Sequence, residues 1–451
     1  MSGGSRRYVD RATETMSPAE LARLQLARLN EFLDRGVWGN EWFAPRLGAR
    51  REIRSLEQWR ELPTMTKRDV MADIAEHGPY GRRATAEPAD VRQVVETSGT
   101  SGQGRERYPV TGHDLDLIQQ MEMPGFAWAG AGPGSVVLSS LPVTTRAGGQ
   151  WYQDAVRRLG AVWLSVGTYP AEEKLRYLRE IGADILVASP SYLMRLEIVA
   201  AAEGVRPADL GVRAIMTAGE PFSVAWARER EAVWDARLHE QYGSTQRAIA
   251  WSCEEGAVHG DGLGVLHVLP HLAVYEVIDP ATGEEVGEGE HGELVITPFG
   301  STAAPLVRFA SGDRVVKVGA GDCPCGRPYP GLRCGRIDRY DAMTKIRGVN
   351  VVPSAADALL LQHPVTDYQA RVYSDERTGR EELEIVVAAV GGPPDAGTLA
   401  VLADRFRQEF GLRATFVAHE GPTLVADVAV DAKKRKRWTD ERAPMRRGAP
   451  V

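Results

Sequence analysis

The segment TSGTSGQGR at 97–105 combines glycines with hydroxyl side chains, directly after the apolar run VRQVVE. Glycines let backbone N–H groups approach phosphate oxygens closely, and serine and threonine hydroxyls add further donors. The Walker pattern GxxxxGK[ST] does not occur in the chain. The segment is therefore either a loop that wraps a polyphosphate or a flexible surface loop.

Lysine is scarce in this chain, which makes each lysine informative. Of the 54 basic residues only seven are lysines, and the rest are arginines. Three of the lysines lie in the run KKRKR at 433–437. Such runs are usually solvated tails, but a chain that carries its surface charge on arginine does not need lysine for that purpose. The run is therefore also a candidate for chemistry.

The four cysteines are clustered rather than spread as a disulfide framework. Cys253 is followed by His259, and Cys323 and Cys325 form a CxC pair. Three thiolates and one imidazole are a ligand set of closed structural Zn²⁺ sites, so these four residues predict such a site. Cys334 is the spare cysteine and could take the place of His259. The alternative is a set of buried thiols without a metal.

The elements that must position these residues alternate between strand and helix in the middle of the chain. Apolar, β-branched runs at 135–142, 161–167, 183–189 and 212–219 are separated by helical segments, which predicts right-handed βαβ units and a largely parallel sheet. Residues 17–36 predict an amphipathic helix, with Ser17 as N-cap, Pro18 in the first helical position and Glu20 completing a capping box.

The pattern changes after about residue 264, where strands joined by turns predict an antiparallel β subdomain at about 264–335. A new strand–helix series follows the segment GRIDRYD. We expect an α/β fold with a large N-terminal domain over 1–337, built from βαβ units in mixed sheets, and a small, mobile α+β domain over 338–451.

Composition excludes several classes of partner. The 451 residues are 43% hydrophobic and 25% charged, with a net charge of −7, so no global positive charge attracts nucleic acid or an anionic membrane. No run of 18 apolar residues occurs, and MSGGSRRYVD has no apolar signal-peptide region. A cytoplasmic enzyme or binding protein is expected, with no nucleic acid and no membrane as partner.

Six motifs, in order and over nearly the whole chain, resemble those of the adenylate-forming superfamily of acyl- and aryl-CoA ligases, adenylation domains and luciferase. They are TSGTSG at 97–102, TAGEPF at 217–222, EQYGSTQ at 240–246, PLVRFASGDRV at 305–315, GRIDRYDAMTKIRGVNVVPS at 335–354 and KKRKRWTDER at 433–442. LPTMTKRDV at 62–70, PSYLMRL at 190–196, the GEP tripeptide and RGVNVVPS are similar to the phenylacetate–CoA ligase family.

This resemblance implies an ATP-dependent enzyme that activates an aryl or arylacetic acid as an acyl-adenylate and passes the acyl group on. Coenzyme A is the expected acceptor, and an amine or a carrier-protein thiol is the alternative. The cofactors implied are ATP, Mg²⁺, coenzyme A and, in some members, a structural Zn²⁺. The family is usually homodimeric. A third alternative is a catalytically weak, nucleotide-binding regulatory homologue.

The resemblance also assigns the nucleotide-binding residues. The loop at 97–102 is expected to bind the β- and γ-phosphates, and Asp313 both ribose hydroxyls. Tyr242 is expected to stack on adenine, with a core tyrosine as the alternative; Asp313 has a turn aspartate as its alternative. The full set implied is Thr97, Ser98, Gly99, Thr100, Ser101, Gly102, Gly219, Glu220, Pro221, Tyr242, Gly243, Ser244, Thr245, Asp313, Arg339 and Lys345.

The C-terminal lysine motif places a lysine three residues before an arginine and six before an aspartate. Counting back from Asp440 gives Lys434 as the expected catalytic lysine, with Lys433 and Lys436 as alternatives in register. The expected pivot of the small domain is Asp341, with Asp338 as the alternative. Either Arg336 or Arg339 meets the nucleotide, and we favour Arg336 as the catalytic arginine.

One position departs from the family pattern. Gln246 stands where a glutamate generally binds Mg²⁺, and a neutral amide oxygen is a weaker ligand for a hard dication than a carboxylate. Gln246 is still counted among the expected catalytic residues. Either water and phosphate oxygens supply more of the magnesium shell, or adenylation is slower or altered.

The acid-binding pocket is expected from the same resemblance near the segment 144–152, around Tyr192, and at the GEP tripeptide. Trp151, Tyr152, Tyr192 and Phe222 are the candidates to frame an aromatic ring. The alternative is that these side chains are simply part of the core.

Overall fold

The structure is a computed structural model of the whole chain. It describes residues 7–97, 105–340, 344–362, 364–375, 378, 380–421, 424 and 437–442.

The helices within these residues are α1 (Arg11–Glu14), α2 (Pro18–Gly36), α3 (Ala44–Leu47), α4 (Leu56–Arg60), α5 (Lys67–His77), α6 (Gly112–Ala129), α7 (Ala147–Arg158), α8 (Ala171–Ile181), α9 (Pro190–Ala202), α10 (Val224–Trp234), α11 (Pro353–Leu360) and α12 (Ala396–Phe410). Short 3₁₀ turns cover Pro88–Asp90 and Pro207–Leu210.

The strands of the larger, N-terminal part are β1 (Met65–Thr66), β2 (Val91–Glu96), β3 (Arg107–Thr111), β4 (Val136–Ser139), β5 (Val162–Ser165), β6 (Ile185–Ala188), β7 (Ala214–Ala218), β8 (Arg237–Gly243), β9 (Ala248–Ser252), β10 (Val258–His259), β11 (Gly262–Leu263), β12 (Val265–Val268), β13 (Ala273–Ile278), β14 (His291–Pro298), β15 (Phe309–Val318), β16 (Gly331–Arg333) and β17 (Asp338–Arg339). They are followed by β18 (Thr344–Ile346), β19 (Val349–Val351), β20 (Val365–Ser374), β21 (Glu381–Ala389), β22 (Thr415–Ala418) and β23 (Trp438–Asp440).

Helix α2 begins as its sequence predicts. The Ser17 side chain accepts from the Glu20 backbone N–H, and the Glu20 carboxylate accepts from the Ser17 N–H, which completes the capping box with Pro18 in the first helical position. Its apolar face buries Leu29, Phe32 and Leu33 in the main core. This helix therefore anchors the N-terminal segment to the large domain.

One large sheet organises the N-terminal part. Its strands β5, β4, β6, β7 and β8 are neighbours in that order, and all of these pairs are parallel. Each connection carries a helix, which confirms the predicted βαβ rhythm. The expected antiparallel strands extend the same sheet from β8 through β9, β12, β16, β15 and β14 to β13.

The sheet is buried on both faces. Successive residues of a strand point to opposite faces, and on β6 and β7 the alternate residues fall into two separate cores. Leu186 and Ile215 pack with one core, whereas Val187 and Met216 pack with the other. Burial on both sides explains why these strands are continuous apolar runs in the sequence.

The small C-terminal α+β domain has its own core. Its sheet runs β22–β21–β20–β23, with β20 and β21 antiparallel and the two outer pairs parallel. Tyr368, Ile385 and Phe406 are fully buried in a cluster whose buried members run from residue 346 to residue 412. The fold class is therefore the expected one.

None of the helices in the described part of the chain is long and apolar enough to cross a membrane.

Candidate active site

The candidate site lies where β7 and β8 end side by side. Ala218, the last residue of β7, pairs with Gln241 on β8, so Gly219 and Tyr242 follow at the same edge of the parallel sheet. Gly219 has φ +86°, a left-handed conformation that favours glycine over other residues. Ligands of open α/β sheets bind outside the carboxyl ends of the strands, and this edge is such a place.

Tyr242, Asp313 and Arg339 come together at this edge. The Tyr242 hydroxyl donates to Asp313 Oδ2, and Arg339 Nη1 lies 3.0 Å from Asp313 Oδ1. Burial, and then the neighbouring Asp313 carboxylate, raise the pKa of Tyr242 well above its usual value, so the phenol stays a donor. Asp313 is thus a buried carboxylate that accepts a hydrogen bond from Tyr242 and contacts the guanidinium of the more exposed Arg339.

Arg339, and not the favoured Arg336, is the arginine that contacts Asp313. Strand β17 pairs antiparallel with β15 so that Arg339 stands directly opposite Asp313, and directly opposite side chains are in contact range. Arg336 precedes this strand, is exposed, and helps to lower the pKa of His291, after the larger effect of burial. Which of the two arginines meets the nucleotide stays a prediction.

Glu220 of the GEP tripeptide joins this edge to α9. Its carboxylate accepts from the Ser191 backbone N–H at 3.0 Å and from the Ser191 hydroxyl at 2.7 Å. Glu220 is thus a structural link between the end of β7 and the start of α9, in addition to any contact with a ligand. A small crevice beside it is lined by Ser191, Met194, Phe222, Asp357 and Arg437.

Arg437 connects the small domain to this crevice. Its guanidinium lies 3.6 Å from Asp357, 3.7 Å from Asp367 and 3.8 Å from Glu220. Burial raises the pKa of Asp357 to about 6, and the Arg437 charge opposes that rise. The C-terminal motif therefore reaches the GEP tripeptide through its arginine.

Several predicted residues lie outside the described residues. They are Ser98, Gly99, Thr100, Ser101 and Gly102 of the glycine-rich loop, the pivot Asp341, and the lysine Lys434 with its alternatives Lys433 and Lys436.

The described ends of the glycine-rich loop are tied together. The Thr97 N–H donates to the Glu106 carbonyl at 3.0 Å, and the Glu106 N–H donates to Thr97 Oγ1 at 2.9 Å. The β2–β3 hairpin thus holds Thr97 and Glu106, on either side of the loop, beside each other.

A buried polar cluster surrounds Gln246 beside Glu106. Gln246 Nε2 donates to Glu106 Oε2 at 2.8 Å, and Lys67 Nζ lies 3.1 Å from Glu106 Oε1. The Tyr108 hydroxyl also donates to Glu106, at 2.5 Å. Sequence reasoning missed Glu106 and assigned no role to Lys67; the signals were the scarcity of lysine and the position of Glu106 at the loop. Ser244, in the turn before Gln246, donates its N–H to the Arg247 carbonyl.

The four aromatic candidates for the acid pocket have separate environments. Trp151 is fully buried and its indole N–H donates to Gln93, while Tyr152 packs between Phe126 and Trp251 on the other face. The Tyr192 hydroxyl accepts from Lys174 at 2.7 Å, and burial lowers the pKa of that lysine to about 8.

Phe222 stacks against Trp226, with ring centroids 5.5 Å apart. Among the ring contacts of the described residues, none joins the Trp151–Tyr152 pair to Tyr192 or Phe222. A single aromatic pocket made by all four residues therefore stays a prediction.

Lys345 and Asp338 stand apart from the Asp313 cluster. Lys345 lies on the β18–β19 hairpin, and its carbonyl accepts from Arg442. Asp338 on β17 lies 3.7 Å from Arg314. Asp338 lies on the last strand before the described residues of the small domain, and its role as a pivot stays a prediction.

Three of the predicted metal ligands meet, but His267 and not His259 completes the group. The ligand atoms of Cys253, His267, Cys323 and Cys325 all lie within 4.8 Å of one another, and all four residues are buried. Cys253 Sγ and Cys323 Sγ are 3.6 Å apart, and Cys325 Sγ is 3.4 Å from His267 Nε2. A tetrahedral ion with about 2.3 Å bonds to sulfur needs sulfur atoms about 3.8 Å apart, so the spacing fits.

Strand register explains the correction. His267 on β12 stands opposite Trp251 on β9, and Cys253, two residues further along the chain, faces the same side. His259 instead lies on the separate β10–β11 hairpin, and Cys334 contacts Glu240. The position of His267 as the single polar residue of the apolar run GVLHVLP was the signal that could have identified it.

The second nitrogen of His267 also fits a metal ligand. His267 Nδ1 lies 3.3 Å from the Tyr329 carbonyl, which accepts its proton and leaves Nε2 free to bind. Such a hydrogen bond to the far ring nitrogen is usual for ligating histidines. The residues present therefore fit a structural Zn²⁺ ion.

The chain is similar to known proteins in sequence and in fold. The family model "AMP-binding enzyme" matches residues 49–301. A phenylacetate-coenzyme A ligase of Thermus thermophilus is 29% identical over 342 residues, covering 74% of each chain. The structure of a 2-hydroxyisobutyryl-CoA ligase in the postadenylation state with 2-HIB-AMP has a TM-score of 0.85 at 22% identity, covering 98% of this chain and 94% of its own. The same ligase in its thioesterification state, with 2-HIB-AMP and CoA, has a TM-score of 0.69, at 22% identity and with 96% and 94% covered.

Proposed function

The chain belongs to the AMP-binding enzyme family, in the phenylacetate–CoA ligase-like branch of the adenylate-forming superfamily, and from this premise we propose that it activates an aromatic carboxylic acid with ATP and transfers the acyl group to coenzyme A. The observation that carries the proposal is the Tyr242–Asp313–Arg339 cluster at the carboxyl edge of the parallel sheet. A buried carboxylate at this place is suited to accept two ribose hydroxyls.

The first half-reaction forms an acyl-adenylate. A carboxylate oxygen of the acid attacks the α-phosphorus of ATP, the bond to the bridging oxygen breaks, and pyrophosphate leaves. In the second half-reaction the thiol sulfur of coenzyme A attacks the acyl carbon, and AMP leaves with the electron pair of the mixed anhydride. Both steps depend on orienting the reactants and on neutralising phosphate charge.

Different residues of the chain bind the ribose, the phosphates and the attacking carboxylate. Asp313 orients the ribose, and the loop at 97–102, tied at its base by Thr97 and Glu106, donates to the phosphates. Mg²⁺, when bound, neutralises charge on the phosphates, and Gln246 offers it an amide oxygen. Lys434, three residues before the anchored Arg437, neutralises the attacking carboxylate.

An aromatic acid is supported by the aromatic side chains near the site and by the name of the Thermus relative. Tyr192 is held by Lys174, and Phe222 lies beside the Glu220 crevice. The solved ligase of similar fold carries an aliphatic 2-hydroxy acid, so the acid panel must include both kinds.

Acid-dependent exchange of pyrophosphate into ATP tests this proposal. The panel contains benzoates, arylacetates, cinnamates and aliphatic 2-hydroxy acids, with wild type beside Lys434→Ala and the control Lys317→Ala, which removes an outlying lysine paired with Glu285. We expect exchange with an aromatic class, lost only in Lys434→Ala. Exchange only with aliphatic acids would reject the substrate class. ATP binding without any exchange would reject the activity. Thioester formation on adding coenzyme A, rather than an amine, tests the acceptor.

We also propose that Cys253, His267, Cys323 and Cys325 bind one structural Zn²⁺. The ion would join the end of β9, strand β12 and the loop before β16. Metal analysis of purified protein should give about one equivalent of zinc per chain, and Cys325→Ser and His267→Ala should lose it, while His259→Ala keeps it. Retention of zinc by His267→Ala, or its loss in His259→Ala, would contradict this ligand set.

A further inference from the structure

Gln246 presents an orientation problem that a glutamate would not have. Both oxygens of a carboxylate attract a cation, whereas an amide has one oxygen that attracts a cation and one N–H₂ group that repels it. A glutamine therefore serves a metal–phosphate site only if something holds its nitrogen away from the cation.

Glu106 is placed to hold that nitrogen. Gln246 Nε2 donates to Glu106 Oε2 at 2.8 Å and lies 3.3 Å from the Tyr108 hydroxyl oxygen. Because the Tyr108 hydroxyl itself donates to Glu106, its oxygen is an acceptor for the amide. Among the described residues, no hydrogen bond ends on Gln246 Oε1, so the nitrogen is fixed and the oxygen is available.

The carboxylate of Glu106 is itself fully engaged. Lys67 Nζ lies 3.1 Å from Oε1, while Oε2 accepts from Tyr108 and Gln246. Glu106 is 1% exposed and Gln246 8% exposed. Glu106 also closes the base of the glycine-rich loop through its backbone bonds to Thr97. Glu106 is therefore fixed beside Thr97, and both of its carboxylate oxygens already have partners.

We infer that Glu106 is a positioning residue for the adenylation site, which locks the amide of Gln246 with Oε1 toward the Mg²⁺–phosphate group and so replaces the glutamate usual at position 246. The inference rests on the proposed function, because it assumes that a metal–nucleotide complex binds at Gln246.

The arrangement makes an unexpected prediction for Gln246→Glu. This change restores the residue that the family usually has, but it would place two carboxylates at the present 2.8 Å contact. Like charges at that distance cannot both ionise freely. We therefore expect the single variant to bind metal less well, and the exchange Glu106→Gln with Gln246→Glu to recover binding.

The experiment measures Mn²⁺ bound to the full chain in the presence of a non-hydrolysable ATP analogue, by the electron paramagnetic resonance signal of free Mn²⁺. The proteins are wild type, Glu106→Gln, Gln246→Glu, the double variant, and the control Glu197→Gln, a half-buried acid paired with Arg230 and Trp234. Thermal melting shows which variants are folded.

We expect each single variant to bind Mn²⁺ about 10- to 100-fold more weakly, as for other supporting residues of metal sites, and the double variant to recover most of the loss. Wild-type affinity in Glu106→Gln, or tighter binding in Gln246→Glu, would overturn the inference. If Glu106→Gln does not fold, the Mn²⁺ affinity of Gln246→Glu alone tests the inference. Absence of Mn²⁺–nucleotide binding by wild type would instead count against the proposed function.

Discussion

At the scale of single residues, Asp313 is the side chain on which nucleotide recognition depends most directly. Asp313→Asn keeps the shape but removes the charge that Arg339 and two ribose hydroxyls would share. Losing charge-assisted hydrogen bonds of about 1.5–3 kcal/mol should raise the KM for ATP about 10- to 100-fold. Pyrophosphate exchange against ATP concentration measures this. Asp279→Asn, in the turn after β13, is the matched control, and an unchanged KM in Asp313→Asn would contradict the role.

Glu240 predicts a pH dependence of stability. It accepts from the Gly335 N–H at 2.7 Å, is 4% exposed, and burial raises its pKa from 4.5 to about 8. Between these values the folded chain keeps a proton that the unfolded chain releases. The contribution of Glu240 to stability is therefore present below about pH 4.5 and is lost as the pH rises through about 8.

Glu240→Gln should remove that dependence. From pH 5 to pH 9 the melting temperature of wild type should fall relative to that of the variant. If the melting temperatures of the two proteins changed equally from pH 5 to pH 9, the raised pKa of Glu240 would be contradicted.

At the scale of elements, the contact of α6 with β9 depends on the absence of a side chain at Gly125. A Cβ at this position would overlap the indole of Trp251, and overpacking of this kind costs about 1–3 kcal/mol. Gly125→Ala should therefore lower the free energy of unfolding. Gly112→Ala, in the first turn of the same helix where a Cβ meets open space, should not. Equal denaturation midpoints for the two variants would contradict this prediction, because they would show that α6 can move away from Trp251 without loss of stability.

Elements with strong local signals could be predicted from the sequence. Helix α2 carries its start signal in Ser17, Pro18 and Glu20, and the buried parallel strands are continuous apolar runs. Motif order similarly pointed to Tyr242 and Asp313. The sequence could not show that Gln246 meets Glu106, which lies 140 residues away, or that His267 rather than His259 joins the cysteines. The first contact joins the turn between β8 and β9 to the residue before β3, which no local pattern predicts. The second depends on the register between β9 and β12, where a shift of one residue moves every side chain to the other face.

At the scale of the whole molecule, Arg437 links the two domains. Arg437→Ala would remove the guanidinium that lies beside the buried Asp357 and Asp367, and breaking such buried pairs costs about 3–5 kcal/mol. It would also release the small domain from Glu220. We expect faster cleavage between the domains in limited proteolysis and a larger radius of gyration. Arg442→Ala, whose partners Asp440 and Glu381 lie within the small domain, is the control. Unchanged proteolysis of Arg437→Ala would contradict the link.

The homodimer implied by the resemblance stays a prediction, which sedimentation of the purified chain would test.

The contact between Glu106 and Gln246 also constrains how this sequence can evolve. A lineage that moves between glutamate and glutamine at position 246 must change position 106 as well, because either single step leaves two acids facing each other or none. Both intermediates should be disfavoured by selection. The two positions are therefore expected to be inherited as a pair, and descendants that change one of them should carry the compensating exchange at the other.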